Sequence, residues 1–146
     1  DEVQLIVNGK KLQRKKMPKN GHLEWDAVYR PGYVKAVGYR AGRKVMETRL
    51  DTAGEPVEAV WTYDTVGDIT VANVEMRDAK GRFVPTACVE MEFAAPGGSR
   101  ILGWGNGDPT FQYVERPVNG ENFIKITTFN GLAQVILQKN PNFVPN

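Results

Sequence analysis

Five Asn-Gly dipeptides punctuate this chain of 146 residues: Asn8-Gly9, Asn20-Gly21, Asn106-Gly107, Asn119-Gly120 and Asn130-Gly131. Both residue types accept a positive φ, so Asn-Gly between apolar stretches is the strongest short-range hairpin signal. Pro31-Gly32, Ala41-Gly42, Lys80-Gly81 and Pro96-Gly97-Gly98 add further turns. No window between them sustains a 3.6-residue apolar period. The pattern predicts an all-β chain with essentially no helix, its short strands spaced as in a sandwich.

In the first part, strands are expected near 3–7, 11–16, 22–28, 33–40 and 44–51. The last two form a long hairpin through Ala41-Gly42, the usual closing pair of an immunoglobulin-like sandwich. Such a sandwich takes about seven strands. Only five are visible here, and the chain starts without Met inside a strand, so the reading is of a domain missing its N-terminal strands and cut from a longer protein. In the second part, strands are expected near 57–63, 69–77, 82–86, 88–94, 100–104, 123–129 and 132–138.

Asp51-Thr52-Ala53-Gly54-Glu55-Pro56 is the expected boundary, because domain junctions favour Gly- and Pro-containing segments. Charge changes sign there. Residues 1–52 hold 12 basic and 6 acidic side chains, whereas residues 53–146 hold 7 and 11. The near-neutral total of +2 is thus a sum over two unlike halves. Two tandem immunoglobulin-like β-sandwich domains, 1–52 and 53–146, are the expected architecture.

Composition excludes several chemistries. One cysteine, Cys88, allows no intrachain disulfide, and with one histidine, His22, no zinc site of Cys and His ligands can be assembled. His22 follows a turn dipeptide and reads as an exposed residue at the turn's edge. Glu90 and Glu92 share one strand face, the ordinary arrangement of a solvated edge rather than a catalytic pair. Asp64, Asp68 and Asp108 have no calcium-loop spacing. No apolar run approaches the roughly 20 residues a membrane helix needs. The run Lys10, Lys11, Arg14, Lys15, Lys16 and Lys19 carries no nucleic-acid motif, and strand alternation divides it between two faces. It reads as a solvated face or a docking surface for an acidic partner.

Val3-Gln4-Leu5-Ile6-Val7-Asn8-Gly9-Lys10-Lys11-Leu12 resembles a hairpin of glycoside hydrolase family 2, from the immunoglobulin-like domain that follows the catalytic barrel in many bacterial β-galactosidases. His22-Leu23-Glu24-Trp25 and Tyr29 through Tyr39 are similar to later strands of that domain, and Asp51 through Pro56 to its exit. Val74 through Gly81, with Val84-Pro85, looks like an invasin-type immunoglobulin-like domain. Ile101 through Pro109 and Phe129 through Val135 are similar to the C-terminal domain of the same enzymes. The chain departs from the pattern at Gln13, where Gly is usual, and in its Pro-containing tail.

The resemblance implies a non-catalytic C-terminal accessory region of a family 2 β-galactosidase-like enzyme. Its parent would be a retaining β-glycosidase acting with two carboxylates on a barrel. No eight-fold strand–helix alternation is present, so no catalytic residue is assigned to this chain, and no metal or cofactor. The implied partners are the barrel and other domains of the parent chain, a carbohydrate, or a second copy, with neither nucleic acid nor membrane. By the same resemblance the location is the bacterial periplasm or cell surface. Two other readings stand beside it: a carbohydrate-binding β-sandwich module, and a surface adhesion or spacer module. Trp25 and Trp61 lie in alternating segments and are expected in cores. Trp104 instead opens a Gly-rich loop that leads to Asn106, Asp108, Phe111 and Tyr113. These five are the candidate ligand or interdomain contacts, with Asp108 also suited to bonding backbone amides.

Overall fold

A computed structural model describes residues 1–110 and 123–139. All ten strands there are antiparallel, and no helix occurs among the described residues. The chain divides into two compact units, Asp1–Thr52 and Ala53–Asn146.

The first unit is one four-stranded sheet in the order β2-β1-β3-β4. Its strands are β1 (Glu2–Val7), β2 (Lys10–Lys16), β3 (Tyr33–Arg40) and β4 (Arg43–Asp51). Asn8 and Gly9 turn β1 into β2 with φ of 47° and 83°, as a two-residue turn with both positions left-handed requires. Arg14 lies over the Tyr39 ring at 3.6 Å and Arg49 over Tyr33 at 3.9 Å, so long cationic side chains cover one face of the sheet. Ile6 and Val37 are buried on that face. The outer strand β2 exposes Lys10, Lys11, Arg14 and Lys16, cations that discourage edge-to-edge pairing.

The strand expected near 22–28 is absent. The strand order explains why. The chain leaves β2 at one edge and steps past β1 to reach β3, and residues 17–32 make that crossing outside the sheet. Trp25 is accordingly a half-buried residue of this crossing, not a core residue of a strand. Its indole N–H donates to the Gln13 carbonyl at 2.7 Å, and Lys15 lies 5.4 Å from its ring. That carbonyl is available because β2 bulges between its pairings with Gln4 and Ile6. The neighbouring Leu12 carbonyl accepts from Gln4 Nε2 at 3.0 Å. Gln13 takes part in the bulge without a positive φ, which is how a non-glycine residue is accommodated there.

The second unit has a four-stranded sheet, β5-β6-β10-β8, and a two-stranded sheet, β7-β9. Its strands are β5 (Pro56–Val66), β6 (Ile69–Asp78), β7 (Glu90–Ala94), β8 (Ser99–Gly105), β9 (Phe123–Thr127) and β10 (Leu132–Lys139). Alternation works as expected here. Ala72 and Val74 of β6, with Ala133, Val135 and Leu137 of β10, pack against Phe93, Ile124 and Ile126 of the smaller sheet. Trp61 joins this core, its ring centroid 4.7 Å from that of Phe93. Thr128 is wholly buried yet satisfied: its hydroxyl donates to the Ala87 carbonyl at 3.2 Å and accepts from the Val89 N–H at 3.0 Å.

The strand expected near 82–86 is reduced to one bridge, Arg77 to Phe83. Pro85 has no N–H to extend a ladder, and Ala87 N–H turns back to the Val84 carbonyl at 3.2 Å. The segment is held by Asp78 instead. That carboxylate accepts from the backbone N–H groups of Gly54, Lys80 and Arg82 at 2.7, 2.9 and 2.9 Å, and from the Arg82 guanidinium at 2.8 Å.

Candidate functional site

Of the five candidate residues, Trp104, Asn106 and Asp108 lie within the described structure, and Phe111 and Tyr113 lie outside the described residues. Trp104 is in β8, opposite Val135 of β10, and packs half-buried against the core. Its indole is thus fixed by packing as well as by the strand. Gly105 ends β8, and Gly107, with φ of 82°, makes the turn that follows.

Asn106 ties this corner to the smaller sheet. Its Nδ2 donates to the Thr127 carbonyl at the end of β9 at 2.9 Å, and its Oδ1 accepts from the Asp108 N–H at 3.0 Å. Asp108 Oδ1 then accepts from the Thr110 N–H at 2.8 Å and its hydroxyl at 2.7 Å. The side-chain bond from Thr110, followed by the backbone bond, holds the Asp108 carboxyl below the ordinary carboxylate range. Asx turns in series therefore build a stiff corner, its polar atoms turned largely to their own backbone. Such a corner presents a shaped surface, and its described residues include no nucleophile–base pair.

The remaining ionisable residues are dispersed. Glu90 and Glu92 point to solvent from β7, with Lys125 3.8 Å from Glu90. His22 and Glu24 form an exposed contact at 2.9 Å, and Cys88 is exposed. Among the described residues, no group of three or more His, Cys, Asp or Glu side chains is placed to hold a metal ion.

Two polar hubs were not legible as such. Asp78 reads in sequence as a turn residue. Its grip on Gly54, 24 positions away, is a long-range contact, and Arg82 four residues on was the one local signal. Asn8 reads as half of a hairpin dipeptide. Its side chain also caps the end of the crossing, accepting from Tyr33 N–H at 2.6 Å and donating to the Pro31 carbonyl at 3.1 Å.

The first unit's sheet has a second, mainly apolar face. Register places Val3, Leu5 and Val7 of β1 beside Val34, Ala36 and Gly38 of β3, and these beside Met46, Thr48 and Leu50 of β4. Met46 and Leu50 are 67% and 72% exposed. The β1 and β3 residues of this face are half-buried or buried, so its water-exposed apolar side chains lie on β4.

The chain is similar to known proteins along nearly its whole length. Residues 1–46 match a family described as a domain of unknown function, DUF4982. The chain is 36% identical to the β-galactosidase BoGH2A of Bacteroides ovatus, over 96% of its own length and 17% of that enzyme's. A β-glycosidase structure from Bacteroides vulgatus superposes with a TM-score of 0.72 at 26% identity, over 95% of this chain and 18% of that one. A glycosyl hydrolase family 2 structure from Bacteroides cellulosilyticus shares the fold with a TM-score of 0.73 at 23% identity, over 98% of this chain and 20% of its own. The chain thus spans about a sixth of the length of the β-galactosidase it matches.

Proposed function

We propose that this chain, kin by sequence and fold to the C-terminal domains of family 2 glycosidases, is a non-catalytic accessory region that supports the catalytic part of such an enzyme. The observation that carries this reading is the open apolar face of the first sheet. A lone sheet of four strands with Met46 and Leu50 exposed lacks the second layer that a sandwich requires. Strands of the parent enzyme outside residues 1–146 supply that layer. The parent hydrolyses terminal β-galactosides with retention and works in the periplasm or at the cell surface. The stiff corner of Trp104, Asn106 and Asp108 lies at the rim and contacts another domain of the parent.

The dispersed acids of the described residues favour this over an independent enzyme. The engagement of Asn106 and Asp108 with backbone favours a structural contact over sugar recognition at that corner. Assay of the isolated chain on a nitrophenyl β-galactoside tests the central claim. It gives no turnover above buffer, while the parent enzyme hydrolyses the same substrate. Turnover by the chain alone overturns the reading, and so does failure of the parent on every β-glycoside.

A further inference from the structure

The five Asn-Gly pairs raise a chemical question apart from folding. An Asn side chain followed by Gly can close on itself: the Gly amide nitrogen, losing its proton, attacks the Asn Cγ. A C–N bond forms, the bond to the side-chain nitrogen breaks, and ammonia leaves a succinimide. Water then opens either carbonyl of that ring, giving aspartate or its β-linked isomer. The step needs a carboxamide free to rotate, a Gly N–H free of partners and a backbone free to bring them together.

The fold withholds these conditions from three of the four described pairs. The Asn8 carboxamide is held by Tyr33 N–H and by the carbonyls of Pro31 and Arg30. That of Asn106 is held at both ends, by the Thr127 carbonyl and the Asp108 N–H. Beyond Asn130 the nucleophile itself is occupied, since Gly131 is buried and its N–H donates to the Ala87 carbonyl at 2.8 Å. Asn20-Gly21 differs in its hydrogen bonding. Both residues are exposed in the crossing, and among the described residues no hydrogen bond engages the Asn20 carboxamide or the Gly21 N–H.

We propose that, of the four described pairs, Asn20 is the site of spontaneous deamidation that this fold leaves open, and that Asn8, Asn106 and Asn130 are protected by it; Asn119-Gly120 lies outside the described residues. Conversion places a carboxylate next to Lys19, in the basic half of the chain. The β-linked product also lengthens the backbone of the crossing by one methylene, changing the path between β2 and β3.

The test incubates the intact chain in mildly alkaline buffer and follows the four Asn-Gly peptides by mass spectrometry after digestion. The Asn20 peptide gains about one dalton at least about tenfold faster than the other three, which react only from locally opened states. It yields both aspartate and isoaspartate, the mark of a succinimide. In concentrated urea the four rates converge. Conversion of Asn8, Asn106 or Asn130 as fast as Asn20 in the folded chain overturns the proposal. So does persistence of the same order in urea, which would assign the difference to local sequence rather than to the fold.

Discussion

Asp78 Oδ2 accepts the backbone N–H of Gly54 at 2.7 Å, across 24 residues of sequence. Asp78 ends β6, and Gly54 precedes the start of β5, so this bond anchors the entry of the second unit to its first strand pair. Only 3% of Asp78 is exposed, and Arg82 supplies the opposite charge at 2.7 Å.

Replacing Asp78 by Asn keeps its size and removes its charge, and is expected to lower the thermal midpoint by several degrees at neutral pH. The Arg82 guanidinium, and then the Gly54 amide, hold the Asp78 carboxyl far below its ordinary value of 3.8. A carboxyl depressed on folding contributes stability above its unfolded pKa, and that contribution is lost as pH falls toward the folded one. The difference between wild type and Asp78→Asn should therefore be constant near neutrality and shrink below about pH 4. Thermal melts of both proteins across pH check this, and a gap that widens in acid would contradict it.

Asn8 and Gly32 form a coupled pair. Gly32 has φ of 140°, and a side chain there would run into the Asn8 carboxamide. Gly32→Ala should cost about 2 kcal/mol through strain and this clash. Asn8→Ala should cost about 1 kcal/mol through the lost cap on Tyr33. Because the clash needs the Asn8 side chain, the double variant should lose less than the sum. Urea unfolding of the three variants measures the coupling.

Ile126 and Val66 test the core assignment of the second unit. Ile126 is 1% exposed between the two sheets, and Val66 is 82% exposed at the end of β5. Ile126→Ala is expected to cost about 2–5 kcal/mol, combining lost burial with a cavity. Val66→Ala should change stability by less than about 0.5 kcal/mol. Equal effects on the urea midpoint would show that the layers do not pack around Ile126.

Turn chemistry made most of this fold legible. Asn8-Gly9, Ala41-Gly42 and Asn130-Gly131 ask for positive φ and receive it at both positions, and alternation from Val89 to Phe93 sorts Phe93 inward and Glu90 and Glu92 outward. Alternation failed at Leu23 and Trp25, because a crossing that shelters two apolar side chains reads like a strand. Only the strand order reveals that this segment leaves the sheet. It failed again near Val84, where Pro85 and the distant carboxylate of Asp78 decide the path. The corner at Asn106 was readable as Asx chemistry. Its bond to Thr127 was not, since nothing local to Asn106 indicates which strand end lies beside it.

Leu50 distinguishes an accessory domain from a free-standing module. It is 72% exposed on the apolar face of the first sheet, so Leu50→Lys in this chain removes little packing and should shift stability by less than about 0.5 kcal/mol. On the proposed reading a second layer covers that face in the parent enzyme, and there the same change would bury an unpaired ammonium. A cost of several kcal/mol is then expected, with lower yield and a lower thermal midpoint. Measuring both proteins separates the cases. A neutral effect in both would mean that the face stays open and that this sheet does not support the enzyme through it. A large loss in the short chain would mean that Leu50 is already covered by residues 1–146.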